Sequence, residues 1–204
     1  MNLKAAARQE QILRAAAACF ARKGFHQTTM DDIAREAGIS AGLIYRHFAS
    51  KEDLIIALVE AHGHETRAQL DQARQHTDLA HALAAFFAVD SQEIDGQPKG
   101  VLLVEVVAES LRNQRVADVV QRDDQQIVHG LADLIVQAQA RGQVDPSLAP
   151  IEAAELLLAL SDGMLLRLAL ASEHDDFDDA TLNKTFQTLY TRFLGLHTTT
   201  EEEL

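Results

Sequence analysis

The residues most able to do chemistry lie in one 24-residue stretch, Thr28 to Lys51, TTMDDIAREAGISAGLIYRHFASK. Tyr45 carries a hydroxyl on a rigid ring, and His47 and Lys51 are nitrogen donors one turn apart. Thr29 and Ser50 fall where helices should begin, so their hydroxyls would sit beside free amides and the positive end of a helix dipole. These are groups that grip phosphate oxygens. Between them, Ser40, Ala41, Gly42 and Leu43 are small or short, and Arg46 is the long donor among the outward positions. Small residues at the start of a helix let its backbone descend into the DNA major groove, where Arg46 could take a guanine edge bidentately or a phosphate.

Two short helices with a Gly-centred turn, Gly38-Ile39-Ser40, are predicted to hold these groups as a helix-turn-helix. Ala34 and Ala37 are small, as a close helix crossing requires, and Ile39 and Ile44 would plug the angle between the helices. The preceding helix is expected from about Ala6 to Lys23, with Ile12, Leu13, Ala16, Cys19 and Phe20 on one apolar face and Gly24 as its stop. Thr28 or Thr29 should cap the second helix, with Asp31 or Asp32 completing a capping box. Ser40 and Ser50 should cap the third and fourth, the fourth running to about Gln69. Five more helices are predicted near 78–90, 99–112, 116–141, 151–171 and 179–195, with no competing strand pattern and a frayed tail at 198–204.

The extended string closely resembles the tetracycline-repressor (TetR/AcrR) family of bacterial transcriptional regulators. The resemblance lies in Thr28-Thr29, Ile33-Ala34, Ala37-Gly38-Ile39-Ser40, Gly42, Ile44-Tyr45, His47-Phe48 and Ser50-Lys51-Glu52-Asp53-Leu54. Ile12-Leu13, Ala15-Ala16, Phe20 and Gly24-Phe25 agree as well, so it covers residues 8–60 or so. It implies an Ω-like homodimer: a DNA-binding head over residues 1–50 and a ligand-binding and dimerisation body over 51–197. The fold expected is all-α, with about nine helices: an N-terminal three-helix helix-turn-helix domain and a C-terminal helical bundle. The resemblance further implies double-stranded operator DNA and a small-molecule inducer as partners. Carried over by position, Thr29, Tyr45, His47 and Lys51 look like phosphate clamps, and Ser40, Ala41, Gly42, Leu43 and Arg46 like the set near the groove.

Composition agrees. In 204 residues, 47% are hydrophobic, only 5% are aromatic and 3 are Pro, which favours helices with a packed core. The net charge of −13 is uneven: +3 over residues 1–50 and −16 over 51–204. Only the head would therefore face phosphate. No run approaches the roughly 18 uncharged apolar residues of a membrane span, and the N-terminus lacks a signal-peptide pattern, so a cytoplasmic protein is expected. Cys19 alone cannot build a disulfide framework or a multi-Cys zinc site, and reads as a small buried hydrophobe.

The body says less. Residues 151–171 are apolar on nearly every side and call for cover on both faces. Leu157 and Leu165, with Leu182, Phe186, Leu189 and Phe193 on the last helix, are the candidate dimer interface, forming a four-helix contact. A large monomer core is the competing reading. Glu105 and Glu109 are candidate pocket-wall residues, or a solvated stripe shared with Arg112. Asp162 and His129 are further pocket candidates, each with a plainer reading as a capping, interface or surface group.

No metal or cofactor is expected. His62 and His64 are two apart and diverge by about 200° on a helix. His174 with Asp175, Asp176, Asp178 and Asp179 lacks the glycine and terminal glutamate of a calcium loop. A helical enzyme would need a phosphate loop, metal ligands or a nucleophile motif, and none is seen. A DNA-binding factor of the same fold governed by a protein, or by nothing, stays open.

Overall fold

Helix α1 (Leu3–Lys23) stops where the chain reaches Gly24, which adopts φ +78°. Phe25 then folds back against Phe20, ring centroids 5.2 Å apart. In this computed structural model, the residues described are 3–88, 93–94, 97–170 and 179–196. After α1 come α2 (Met30–Ala37), α3 (Ala41–Tyr45), α4 (Lys51–Ala73) and α5 (Leu79–Phe86). They are followed by α6 (Lys99–Ser110), α7 (Gln114–Ala140), α8 (Pro150–Leu170) and α9 (Asp179–Phe193). The helical expectation holds with one small addition. Glu93–Ile94 (β1) pairs antiparallel with Gln97–Pro98 (β2), a two-residue ladder too short to show as alternation in sequence. The tail at 198–204 and the loop residues His174, Asp175, Asp176 and Asp178 lie outside the described residues.

The chain divides into two compact units. The first comprises Met1–Gly63 and Ser91–Asp123. Its core gathers Ile12, Ala16, Cys19 and Phe20 of α1 with Ile33, Ala34 and Ala37 of α2, Ile44 of α3, and Phe48. Leu54 and Ile55 of α4 and Val116 of α7 complete it, so the three-helix head is packed on residues far downstream. Burial raises the Cys19 thiol above its usual range, as suits an inert core residue.

The second unit comprises His64–Asp90 and Asp124–Leu204. Its core includes Leu70, Leu79, Leu83, Leu131, Ile135 and Leu157. Phe86, Phe87, Phe186 and Tyr190 form an edge-to-face aromatic group within it. Gly130 of α7 meets α4 so closely that a Cβ there would lie 2.0 Å from Leu70 Cδ2.

The residues expected at the interface differ in their burial within this unit. Leu157 and Phe186 are core residues, 0% and 4% exposed. Leu165 and Leu182 are half-buried, whereas Leu189 and Phe193 are exposed. The large apolar residues that α8 leaves exposed are Ile151, Leu156, Leu160, Leu166 and Leu170. A helix apolar all round gives no phase to its own periodicity, so the sequence does not say which of its leucines are buried in the protomer.

Candidate nucleic-acid interface

Local rules build the head. Thr29 sits in extended conformation as the α2 N-cap: its Oγ1 accepts from the Asp32 N–H at 3.1 Å, and Asp32 Oδ2 accepts from the Thr29 N–H at 3.1 Å. This is the predicted capping box, with Asp32 as its acid. Lys23 Nζ, 2.9 Å away, and the Thr29 hydroxyl hold the Asp32 carboxyl well below the usual carboxylate range. Gly38 ends α2 at φ +64°, and its backbone geometry returns Ile39 N–H to the Ala34 carbonyl at 3.0 Å. Ile44 is wholly buried beneath the short α3.

With Ile44 facing inward, α3 turns its other positions outward. Ala41 and Leu43 are half-buried at its flanks, Gly42 is exposed, and a Cβ at Gly42 would meet nothing within 4 Å. Tyr45 is 54% exposed. Arg46 stands at the α3 C-cap, exposed and without an acidic partner among the described residues. His47 is half-buried behind it. Ser40 forms no side-chain cap bond.

The remaining cations of the head are mostly spoken for. Arg14 pairs with Glu10, Arg22 with Glu36 at 2.6 Å, and Lys23 and Arg35 both with Asp32. These pairs lie within the head and are already counted in its +3 balance, and Arg46 stands out for having no acidic partner among the described residues.

Two expected phosphate clamps are committed elsewhere. The Thr29 hydroxyl donates to Asp32 Oδ2 at 2.8 Å while accepting the cap bond. Lys51 Nζ donates to the carbonyls of Phe25, His26 and Thr28, the last two at 3.2 and 2.9 Å, and lies 4.5 Å from the Phe25 ring centroid. An ammonium has three protons, and all three are used. Partial burial lowers the Lys51 pKa, with Glu109 opposing that shift.

Glu105 and Glu109 likewise make their contacts within this unit. Glu105 Oε2 accepts the Phe25 N–H at 2.7 Å, and Glu109 is 7% exposed. Neither is a solvated stripe with Arg112. Also unforeseen is Arg115, whose guanidinium reaches Glu52 at 2.5 Å and Asp53 at 3.0 Å, tying α7 to the start of α4. That Arg115 bond, with the Ser50 hydroxyl, holds Asp53 below the usual carboxylate range. These partners lie 62 to 80 residues apart, and no local pattern announces them.

Of the other pocket candidates, His129 is exposed and donates from Nδ1 to the Gln125 carbonyl of its own helix at 2.6 Å. Asp162 is reached by water yet hemmed in by protein. That desolvation, with the Asp124 carboxylate, pushes its pKa up to about 6. No group of three metal-binding side chains occurs among the described residues, and no helix among them is long and apolar enough to cross a membrane.

A capped helix, a left-handed glycine turn and a short second helix with a bare outer face define a helix-turn-helix protein of the DNA-reading class. Comparison with known proteins agrees. The family model for bacterial regulatory proteins of the tetR family matches residues 12–58, and that for the BetI-type transcriptional repressor C-terminal region matches residues 76–194. The HTH-type transcriptional regulator UidR of Escherichia coli K12 is 30% identical over 165 residues, covering 81% of this chain and 83% of the relative. Among solved structures, Salmonella enterica GusR aligns with TM-score 0.74 at 29% identity, covering 92% of this chain and 95% of that one. Bacillus subtilis FadR in complex with stearoyl-CoA aligns with TM-score 0.77 at 20% identity, covering 92% and 99%, a likeness of fold. The chain belongs to the TetR family of helix-turn-helix transcriptional regulators.

Proposed function

We propose that this regulator is a homodimeric repressor that leaves its operator when a small molecule binds its body. The observation that carries the DNA-reading half is the bare face of α3: Gly42 in open space, with Arg46 exposed beside it and without an acidic partner among the described residues. Backbone can approach a base edge there, and Ala41, Leu43, Tyr45 and Arg46 surround the point of approach, with Ser40 and His47 at its margins. Thr29 and Lys51 serve the head from within. Residues 1–50 act as the reading head and 51–197 as the dimerising, ligand-binding body.

Two copies are called for by the outer face of the second unit. Leu156, Leu160, Leu166 and Leu170 of α8 and Leu189 and Phe193 of α9 are exposed apolar side chains on neighbouring parts of the sequence. Burying the exposed part of each, roughly half a side chain, is worth about 1 kcal/mol, which favours self-association. A dimer also sets two heads against half-sites about 34–36 Å apart. The stearoyl-CoA held by a protein of the same fold supports a small-molecule effector in the body. Release needs only that the effector bind better to a conformer whose heads are wrongly spaced, α4 being the lever.

The test is a gel shift on the DNA upstream of the gene, titrated with metabolite pools and fractionated where a pool acts. Loss of the shifted band at saturating ligand is expected. Unchanged DNA affinity across all pools contradicts effector control. Arg46→Ala is expected to relax preference at one base pair, at a cost of about 1–3 kcal/mol, if Arg46 takes a base edge. Equal loss on operator and random DNA reassigns it to phosphate.

A further inference from the structure

The connector between α1 and α2 is held by charged side chains from distant parts of the chain. Glu105 and Glu109 stand one turn apart on α6, and both reach it. Glu105 Oε2 accepts the Phe25 N–H at 2.7 Å, and a Cβ on Gly24 would lie 3.4 Å from each of its oxygens. Glu109 Oε1 accepts from Asn113 Nδ2 at 3.3 Å. Its buried Oε2 has no hydrogen-bond partner, yet lies 3.5 Å from His26 Nε2. Lys51 Nζ, at the start of α4, takes the Phe25, His26 and Thr28 carbonyls.

One backbone N–H and three carbonyls of this short connector are thus satisfied by ionised groups. Water would serve an exposed loop equally well for bare satisfaction. Charge-assisted bonds do more, because they are stronger than neutral ones and fix direction. The Thr28 hydroxyl adds bonds to the Cys19 carbonyl at 3.1 Å and the Gly24 carbonyl at 2.8 Å, closing the connector onto the end of α1. The next residue, Thr29, is the N-cap of α2, and α2 carries α3 across the Gly38 turn. Whatever fixes residues 24–28 therefore fixes where α2 begins and how α3 is presented.

We infer that Glu105 and Glu109 of α6, together with Lys51, are positioning residues for the DNA-reading helix, acting through the Gly24–Thr28 connector. The inference rests on the DNA-binding reading above. Its consequence is that α6, which contributes nothing to the recognition surface, sets the pose of that surface. A small displacement of α6 would be felt first at the Phe25 amide.

The sign of the effect separates positioning from simple charge. Removing an acid from a DNA-binding unit should strengthen binding if only long-range electrostatics mattered. Positioning predicts the opposite for Glu105→Ala, and predicts rescue by Glu105→Gln, whose amide oxygen still accepts the Phe25 N–H although the charge is gone. The experiment uses the full-length protein with two probes, the DNA fragment upstream of its own gene and amide hydrogen exchange at Phe25. Glu105→Ala is expected to speed Phe25 exchange and weaken DNA binding about tenfold each, the scale of one lost charge-assisted bond. Glu105→Gln is expected to keep both within about threefold of wild type, because a neutral acceptor retains part of that bond.

Glu109→Gln supplies a second variant should Glu105→Ala fail to fold, and is expected to weaken DNA binding in the same direction. Fast Phe25 exchange with DNA affinity equal to or above wild type overturns the inference, as does unchanged Phe25 exchange in Glu105→Ala. Wild-type protein that binds neither its upstream DNA nor any other genomic fragment would instead overturn the DNA-binding reading, and this inference with it.

Discussion

The head and the outer face of the body are both exposed surfaces, but they are specified by different physics. On the head, each outward residue is placed by a short-range device: a capping box at Thr29 and Asp32, a left-handed Gly38, and a buried Ile44 that fixes which side of α3 looks out. On α8 the exposed residues include Ile151, Leu156, Leu160, Leu166 and Leu170, and the inward ones include Ala153, Ala154 and Leu157. Leucines stand on both sides, so tertiary packing decides which of them are buried. Where side-chain chemistry alternates, the chain states its own register. Where it does not, neighbours that differ only in burial have opposite roles.

Leu156 and Leu157 are such neighbours, and they give the sharpest contrast. The largest effect is expected from the double substitution Leu156→Glu and Leu166→Glu. Two charges would be forced into an apolar contact, weakening self-association by a hundredfold or more on the order of several kcal/mol. Sedimentation velocity should then show monomers at micromolar concentration with helix content retained. Dimers surviving in that variant would move the interface elsewhere. Next in size, Leu157→Ala should cost about 2–5 kcal/mol in chemical denaturation. Leu156→Ala should change the stability of an isolated protomer by less than about 0.5 kcal/mol, the usual range for surface changes. Similar losses in both would erase the distinction between the two faces.

A smaller effect is expected from Asp162, and its sign follows from linkage. The folded carboxyl has its pKa raised to about 6, against about 3.9 for an unfolded Asp. As pH falls from about 7 towards 4, the native state takes up the proton first, so folding stability from this group rises, and it declines as pH climbs through 6. Asp162→Asn should abolish that slope and raise the urea midpoint at pH 7.5. A variant with an undiminished slope would assign the effect to another group. Smaller again is the effect at the head's own cap: Thr29→Ala should cost about 1 kcal/mol in thermal unfolding of the first unit. No loss there would show that Thr29 is not held by the box that keeps its hydroxyl occupied.

The sequence made much of this fold readable and less of its wiring. Gly24, Gly38, Thr29 and Ser50 mark helix ends through rules that act within four residues, and the helices start and stop near where those residues put them. The uncommitted Arg46 was visible as the long donor of the outward set. What could not be read were contacts across 23 residues or more. Lys51 has the chemistry of a phosphate clamp, and only the folded chain shows its protons spent on the connector carbonyls. Glu105 and Glu109 have the spacing of a pocket wall or a solvated stripe, and only packing of α6 brings them to Phe25 and His26. A pattern of residue types carries the donor but not the acceptor when the two are joined by tertiary structure.

The most direct test of the account is selection of bound fragments from genomic DNA with the intact protein, followed by quantitative binding of the best fragment against a shuffled duplex of equal length at physiological salt. The account predicts enrichment of a pseudo-palindromic site and a preference of about a thousandfold or more over the shuffled duplex, the lower end for specific binders. Equal affinity for both duplexes, or no fragment retained at low salt, would contradict it.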